Sequence, residues 1–490
     1  MLVIKAMDGD QVLVRYYTRV VVENDFHADA LLSFVERFND AIFDKKKAET
    51  VISKSIEPNE EGNNEYLSQV TIHSSFDTIT FADLKPSRIT KPIAGIKEID
   101  DSYAIVQLKY LITATENKIP ETYYITEDYR VRFVDDDNVY LLDYNRSQEQ
   151  IFTINNISTS GNQFKLGITD SKAFDYITSD NQRKVAFVQA RQLWYYDYSA
   201  GAITNVFGFC QENNYTDPRA TYDDNNIRIL KINDDGDIIF TVYGYMNSGI
   251  HEGKVGISLF SYKSSKNRLD ELLFMENDRP YNILKDDMET LMYLNDNNEF
   301  YYFDHDCVIK VNVKDLTSEI FIEDVLNENL AVSEDNHLLG YPDSLLTENT
   351  TKVTVYNLET GETSDIDAGS GERLLAIGFV QEALVLGRIK ESDIVVALDK
   401  TVTCPVSTID LINENRQVVK TYGEQGIYVI NADADDGVVY LNRVRKVGDK
   451  FEEAPQDFIT YKEDEDPSKI SVQYRSEERR VGKECRSRWS

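Results

Sequence analysis

The sequence predicts a mainly β protein in which a small α+β domain precedes a series of repeated antiparallel units. Two patterns predict this class: short β-rich segments return about every fifty residues from position 151 onward, and the preceding segments combine one amphipathic helix with long strands. Hydrophobic residues make up 41% of the chain, and tyrosine occurs 30 times. We therefore expect packed cores despite a net charge of −33.

The N-terminal segment 1–22 is predicted to form a hairpin. Two β-rich runs, LVIKAM and QVLVRYYTRVVV, flank Asp8-Gly9-Asp10, and Asp-Gly between strands favours a tight turn. Because a lone hairpin is marginal in water, we expect this segment to be the remnant of a truncated β domain.

Residues 23–150 are predicted to form the α+β domain. Its helix lies in DFHADALLSFVERFNDAIFDKK, with Asn24 or Asp25 as the cap. The apolar stripe of this helix consists of Leu31, Phe34, Val35, Phe38 and Ile42. Four strands follow, YLSQVTIHSSF, SYAIVQLKYLITAT, ETYYITEDYRVRFV and NVYLLDY. Short polar turns join the last three of them, which predicts an antiparallel meander. A sheet that wraps a helix resembles the nuclear-transport-factor-like fold.

Residues 151–474 carry the repeats. The β-rich segments are KVAFV at 184, DIIFTV at 237, TLMYL at 290, HLLGY at 337, ALVLG at 383 and GVVYL at 437. Such a period is typical of four-stranded blades arranged around an axis, so we predict a β-propeller with about six visible blades. VRFVDDDNVYLLDY at 131 aligns without gaps to VAFVQARQLWYYDY at 185 and would make a seventh, but we assign it to the preceding sheet.

Each repeat alternates strands with polar turns. Turn signals include Asn233-Asp234-Asp235-Gly236-Asp237, Ser333-Glu334-Asp335-Asn336, Ala200-Gly201 and Thr360-Gly361. These fragments resemble the blades of TolB-like and WD40-like β-propellers, although the histidine and Trp-Asp pairs of WD40 repeats are absent. The resemblance covers about two-thirds of the chain and implies an architecture but no activity.

Residues 475–490, RSEERRVGKECRSRWS, differ in composition from the rest. They carry a net charge of +3, whereas the other 474 residues carry −36. All sixteen residues fit a translated short-read sequencing adapter, and a basic arm for an anionic partner is the alternative interpretation. We treat this tail as an artefact and expect the native chain to continue past Tyr474.

The net charge limits the classes of binding partner, and the cysteine content limits the number of disulfide bonds. A charge near −36 repels phosphate backbones, so nucleic acid is not an expected partner, whereas a protein, peptide or glycan ligand is compatible with it. Cys210, Cys307 and Cys404 are too few for a disulfide framework. The sequence shows no membrane span, so localisation stays open, and a membrane anchor in a missing N-terminal part would make the protein extracytoplasmic.

The motifs that could carry chemistry are weak. Asp304-His305-Asp306-Cys307 offers four metal ligands in a row, but adjacent strand residues point to opposite faces, which favours a polar hairpin tip. His251-Glu252 lacks the second histidine of HExxH, because Val255 stands there, and NDDGD at 233 lacks the acidic residues of a calcium loop.

Nucleophile and nucleotide signatures are missing as well. Gly369-Ser370-Gly371 is not a nucleophile elbow, the chain contains no P-loop or GxGxxG fingerprint, and its five histidines are scattered. We predict no catalytic, metal-binding or cofactor-binding residue, no cofactor, and no particular ligand-binding residue.

Two functions remain as hypotheses. The first is a non-enzymatic binding or scaffold protein at a bacterial cell surface that acts through the propeller; the alternative is the propeller portion of a larger peptidase-type hydrolase whose catalytic domain is missing. Glycan cleavage at the propeller mouth ranks last. The turns near Asp235, Asn295, Asp335 and Asp436 should share one rim. Exposed Tyr and Phe there would indicate a peptide or sugar ligand, and bare carboxylates would indicate cations or basic proteins.

Overall fold

The computed structural model places secondary structure along most of the chain. It describes residues 2–8, 11–18, 26–100, 102–116, 119–135, 138–152, 158–160, 163–165, 175–189, 191–209, 217, 219, 222–397, 400–435, 437–447 and 450–461. These residues fall into two compact units. The first holds the described residues up to Gly256 together with Ser261–Leu269, and the second holds Ile257–Phe260 and the described residues from Asp270 onward.

The N-terminal part of the first unit contains a hairpin and an α+β assembly. Its elements are β1 Leu2–Asp8, β2 Gln11–Thr18, α1 Ala28–Ala41, α2 Lys45–Val51, β3 Gln69–Thr71, α3 Phe76–Ile79, β4 Ser87–Arg88, β5 Ile93–Ile99, β6 Tyr103–Glu116, β7 Ile119–Asp135 and β8 Asn138–Gln150. Strands β1 and β2 pair antiparallel as predicted. The larger sheet has the order β3-β8-β7-β6-β4, and β5 also pairs with β6. The predicted meander is therefore confirmed as β6-β7-β8, and VRFVDDDNVYLLDY lies in this sheet.

Helix α1 packs on this sheet through the predicted stripe. Leu31, Val35, Phe38 and Ile42 are buried, and Phe34 packs against the same core. The residue before the helix is His27, in a left-handed conformation and without a capping side-chain hydrogen bond. Asn24 and Asp25 lie outside the described residues. The His27 ring instead stacks on Phe133, with ring centroids 3.6 Å apart.

A polar group lies at the centre of the α+β core. The Glu127 side chain is completely buried, and its carboxylate accepts hydrogen bonds from Asn39 Nδ2, Tyr129 Oη and Tyr144 Oη at 2.5 to 2.8 Å. Arg146 is also completely buried and donates to the carbonyl oxygens of Thr78 and Ile79 at the end of α3. The Glu127 carboxylate and the two terminal nitrogens of Arg146 have hydrogen-bond partners, which offsets much of the cost of their burial, whereas Arg146 Nε has none.

Five further sheets and two short hairpins follow. Their strands are β9 Ser158–Ser160, β10 Gln163–Lys165, β11 Asp175–Thr178, β12 Lys184–Gln189, β13 Gln192–Asp197, β14 Ala202–Gly208, β15 Asn225–Ile232, β16 Ile238–Tyr245, β17 Val255–Lys263, β18 Arg268–Glu276, β19 Met292–Leu294, β20 Glu299–Asp304, β21 Cys307–Asn312, β22 Thr317–Ile322, β23 Ala331–Val332, β24 Leu338–Pro342, β25 Lys352–Asn357, β26 Thr363–Asp367, β27 Glu372–Val380, β28 Ala383–Lys390, β29 Val395–Val396, β30 Val402–Thr403, β31 Val406–Ile412, β32 Val418–Tyr422, β33 Ile427–Asp435, β34 Val438–Val447, β35 Lys450–Glu453 and β36 Asp457–Thr460. One helix, α4 Tyr281–Thr290, precedes β19.

The sheets repeat one topology. Four of them contain four consecutive strands each: β11-β12-β13-β14, β15-β16-β17-β18, β19-β20-β21-β22 and β23-β24-β25-β26. The fifth joins β27-β28-β31-β32 to a last group, β33, β34, β35 and β36, through a single residue pair, Val406 and Val429. We refer to these groups as the first to the sixth sheet.

One of the six repeated β-rich segments does not occupy the same strand position in its sheet as the others. KVAFV, DIIFTV, HLLGY, ALVLG and GVVYL occupy second strands of their sheets, whereas TLMYL forms β19, a first strand. The equivalent second strand is β20, which begins at Glu299. The inserted helix α4 precedes this sheet and displaces the segment that a constant period would select.

Consecutive sheets of the second unit pack face to face. Leu339 of the fourth sheet joins Tyr301 and Phe303 of the third in one apolar cluster, and Leu338 joins Leu384 and Leu386 of the fifth in another. A further cluster joins Ile409 of the fifth sheet to Val439 and Leu441 of the sixth. Each buried side chain contributes roughly 1.5–3 kcal/mol, so these clusters hold the series together.

One turn design recurs five times among the described residues. Its first residue accepts a backbone N–H from the residue four or five positions later, and the first residues are Ser179, Asn233, Asn295, Ser333 and Asn413. Its fourth residue has a positive φ and donates its N–H to the carbonyl of the first; the fourth residues are Gln182, Gly236, Asn298, Asn336 and Arg416. The polar turn signals of the sequence are therefore explained by a side-chain cap and a left-handed residue.

The structure does not test two of the predictions made from the sequence. The predicted domain boundaries at 22, 150 and 474 stay predictions, and the tail 475–490 lies outside the described residues. Among the described helices, none is both long enough and apolar enough to cross a bilayer.

Candidate binding surface

The predicted hairpin tip at 304–307 is confirmed. Strand β20 ends at Asp304 and β21 begins at Cys307, while His305 and Asp306 between them have φ values of 54° and 57°. The Asp304 carboxylate is buried, contacts His305 Nδ1 at 2.8 Å and accepts from Asn277 Nδ2 at 3.2 Å. The four side chains do not converge.

The other motifs are turns and loops. His251 lies between β16 and β17, and Ser370 lies between β26 and β27, so neither is on the helix or elbow that its chemistry would need. In NDDGD, Asp237 pairs with Lys263, and Asp234 accepts the backbone N–H of Asn181. Across the described stretches, no group of three or more His, Cys, Asp or Glu residues is placed to hold a metal ion.

The recurrent turns of the second unit meet at one end of its sheets. Asp296 N donates to Glu359 Oε1 of the next sheet at 3.1 Å, and Arg416 donates to the Thr363 carbonyl at 3.1 Å. His337 bonds Asp335 at 2.6 Å. The turns at 295 and 333 therefore share a rim, as predicted; Asp235 belongs to the first unit, and Asp436 lies outside the described residues.

Charge does not single out this rim. Its exposed carboxylates include Asp296, Glu334, Asp335, Glu362 and Glu382. The opposite end of the same sheets exposes a comparable set, Asp306, Glu323, Asp324, Glu328, Asp343 and Glu391. Since both ends are acidic, the carboxylates reflect the composition of the chain and do not mark one binding site.

The sixth sheet differs from the others in how its second strand is buried. Residues Phe300–Asp304 of β20 and Ala383–Gly387 of β28 are buried without interruption, because these strands are covered on both faces. Strand β34 instead alternates between buried and exposed residues along its first half. The sixth sheet therefore packs on the fifth with one face, and on its other face, which we call the open face, the described side chains are exposed.

The open face carries two rows of side chains. Asp433, Tyr440 and Phe458 lie directly opposite one another on β33, β34 and β36, and Asn431 is paired with Asn442 in the next row on the same face. Gln456 completes this second row, since its Nε2 donates to Asn442 Oδ1 at 2.8 Å. We call the six residues Asn431, Asp433, Tyr440, Asn442, Gln456 and Phe458 the aromatic–amide face.

The two aromatic residues are exposed to an unusual degree. Tyr440 is 56% and Phe458 is 61% accessible, although each lies in the interior of a paired strand. Neighbouring exposed aromatic side chains on one sheet face are typical of a contact surface. The polar residues beside them exclude a face that was shaped to pack another apolar sheet.

Comparisons with known proteins find similar solved structures but no related family. No family model and no curated protein matches the chain. Similar solved structures include the β-propeller domain of the Trilobed protease from Pyrococcus furiosus, at 11% identity over 76% of this chain and 99% of that chain, with a TM-score of 0.26. A TolB from Agrobacterium tumefaciens is 11% identical over 53% of this chain and 83% of that chain, with a TM-score of 0.25.

A third similar structure is the Pyrococcus horikoshii acylaminoacyl peptidase, at 12% identity over 72% of this chain, with a TM-score of 0.26. The chain spans half the length of that peptidase. TM-scores this low carry no argument, so the assignment rests on the repeated four-stranded sheets. The chain has a propeller-type β fold. This confirms the predicted architecture of four-stranded blades preceded by a small α+β assembly.

Sequence reasoning missed the aromatic–amide face of the propeller. A signal for it is present in VVYLNRV, where Val439 and Leu441 alternate with Tyr440 and Asn442, whereas the other second strands of the propeller contain uninterrupted apolar runs. Gln456 and Phe458 join the face only through strand pairing, which no local pattern predicts.

Proposed function

We propose that the chain is a non-enzymatic binding protein whose ligand docks on the aromatic–amide face of the last propeller sheet. A single observation carries this proposal: Tyr440 and Phe458 are paired across strands and exposed on the open face of a sheet whose other face is buried. Solvation alone would favour polar residues at both positions, so their exposure supports a contact surface.

The proposal is tested by retention of ligands. Immobilised wild-type protein and the variant Tyr440→Ala/Phe458→Ala are offered arrays of glycans and peptides, and retained ligands are weighed by mass spectrometry. We expect ligands that the wild type retains and the variant does not, and we expect them to be recovered with unchanged mass. Equal retention by both proteins would contradict the site, and a cleaved ligand would contradict the non-enzymatic role.

A matched control is available in the turn between β13 and β14 of the first propeller sheet. Tyr198 is 53% accessible, close to the value for Tyr440, and it is distant in sequence from the aromatic–amide face. Tyr198→Ala should retain every ligand that the wild type retains. The hydrolase hypothesis of the sequence is a separate prediction, and no contact among the described residues favours it.

A further inference from the structure

We infer that the ligand of the aromatic–amide face is a neutral polysaccharide; this inference rests on the proposed function of that face. The six side chains combine two aromatic rings, three carboxamides and one carboxylate on one open sheet surface. Each of the three groups of side chains restricts the chemistry of the ligand.

The aromatic row suits the flat side of a sugar ring. Because Tyr440 and Phe458 are direct cross-strand partners, their Cβ atoms lie about 5 Å apart and their side chains leave the sheet on the same side. A pyranose ring presents a face of C–H bonds, which packs well on the electron-rich face of an aromatic ring. Two aromatic side chains on one face of the sheet thus offer apolar surface to the C–H face of a sugar ring.

The amide row supplies hydrogen bonds beside this platform. Asn431 and Asn442 lie two residues along their strands from the aromatic row, a distance of about 7 Å. Carboxamides both donate and accept hydrogen bonds, as sugar hydroxyl groups do. The bond from Gln456 Nε2 to Asn442 Oδ1 orients both amides, so Asn442 Nδ2 remains a donor and Gln456 Oε1 remains an acceptor towards a ligand.

An apolar protein surface would bind the aromatic–amide face poorly, because it would bury the polar side chains of that face. Such a partner would cover the three carboxamides and the Asp433 carboxylate without offering them hydrogen bonds, and each unpaired buried polar group costs about 1–3 kcal/mol. A polysaccharide covers the aromatic rings and bonds the amides at the same time. The same reasoning explains why this face differs from the apolar faces between the other sheets of the second unit.

Charge selects a neutral polysaccharide over an acidic one. Asp433 is the one residue of the six that carries a charge at neutral pH, and the chain as a whole carries −33. An acidic polysaccharide would be repelled both locally and at long range. We therefore expect binding that depends weakly on salt, because no ion pair contributes to it.

The experiment titrates the protein with neutral hexasaccharides of glucose, xylose and mannose, and with an acidic uronate hexamer, by isothermal calorimetry. At least one neutral hexasaccharide should bind, and the uronate should not. Tyr440→Ala and Phe458→Ala should each weaken the binding roughly two- to thirteenfold, since one aromatic contact contributes about 0.5–1.5 kcal/mol. Asn442→Ala should weaken it as well, and Tyr198→Ala should leave it unchanged.

The outcomes separate this inference from the proposed function. If the face retains a peptide or protein and none of the neutral hexasaccharides binds, the inference is overturned while the binding function survives. If a sugar binds equally to wild type and to Tyr440→Ala, the inference also fails. Thermal melting checks that the variants fold. Tyr440→Phe keeps the aromatic ring and should bind nearly as well as the wild type.

Discussion

Glu127 and Arg146 lie directly opposite each other on β7 and β8, and both side chains are completely buried. The Tyr144 hydroxyl donates to Glu127 Oε1 at 2.8 Å, and Arg146 donates to the carbonyl oxygens of Thr78 and Ile79. The Arg146 guanidinium further stacks on the Phe81 ring at 3.9 Å. The α+β core therefore contains two buried groups of opposite charge on neighbouring strands, each with its own hydrogen-bond partners, in addition to apolar side chains.

Removal of one member of this pair should be costly. We expect Arg146→Met to lower the free energy of unfolding by about 3–5 kcal/mol, because Glu127 would remain buried without a compensating charge. The double variant Glu127→Gln/Arg146→Met should recover part of this loss. Urea unfolding followed by circular dichroism measures both, with Arg132→Met, on the exposed side of the same sheet, as the control. Glu127→Gln alone completes the comparison, and a loss in the double variant equal to the sum of the two single losses would show that the charges do not interact.

Three tyrosines in this core should resist ionisation. Burial, and then the charge of Glu127, raises the pKa values of Tyr110, Tyr129 and Tyr144 well above 10.0. Since folding raises these pKa values, their contribution to stability is complete below pH 10 and is lost as the pH rises further. In an alkaline absorbance titration, Tyr110→Phe should reduce only the amplitude of the step that accompanies unfolding. A smaller signal before that step would contradict the burial.

The pair Asp335 and His337 should stabilise the propeller in a limited pH range. The hydrogen bond to Asp335 raises the pKa of His337, and the charges of Glu382 and Glu359 act in the same direction. Burial alone would raise the pKa of Asp335, but the hydrogen bonds from His337 and Ser333 outweigh it and lower that pKa.

The directions of the two pKa shifts define the pH range in which the pair stabilises the protein. The His337 contribution is complete below pH 6.5 and is lost as the pH rises through its folded-state pKa, and the Asp335 contribution is present above pH 3.8 and is lost as the pH falls. His337→Asn should therefore destabilise the protein more at pH 5 than at pH 8, by less than about 1 kcal/mol. The difference should vanish in an Asp335→Asn background; if it persists there, another group is responsible.

Gly236 and Gly249 provide a matched test of the recurrent turn. Both have positive φ values, 81° and 85°, so alanine is strained at either position. A methyl group at Gly236 would overlap the Tyr195 hydroxyl, whereas one at Gly249 meets no atom within 4 Å. We expect Gly236→Ala to lower the melting temperature more than Gly249→Ala, and Tyr195→Phe to restore part of the difference. Equal effects would indicate that backbone strain alone decides the cost.

Cys404 should be slow to react. Burial, assisted by the charge of Glu348, raises the pKa of its thiol from 9.0 to about 11. At pH 8 the thiolate fraction is then about 100-fold lower than for an ordinary thiol, and alkylation is slower in proportion. Iodoacetamide labelling followed by peptide mass spectrometry measures the rate in native protein and in urea. Equal rates in the two conditions would contradict the shift.

Local patterns determined much of the fold. The alternation of apolar and polar residues in β6, β7 and β8, the apolar stripe of α1, and the Gly and Asn turn residues each specify local geometry, because side-chain spacing and left-handed φ values depend on a few neighbouring residues. These signals were sufficient for the meander, the helix and the class of repeated four-stranded sheets.

Long-range pairing decided the rest. The sequence places Glu127 and Arg146 nineteen residues apart, and only the register of β7 and β8 makes them neighbours. Phe458 reaches Tyr440 in the same way, through the pairing of β36 with β34, and helix α4 shifted the phase of the third sheet without any periodic signal. Such contacts depend on which strands meet, and that is set by the burial of whole sheet faces and not by the residues of any one segment.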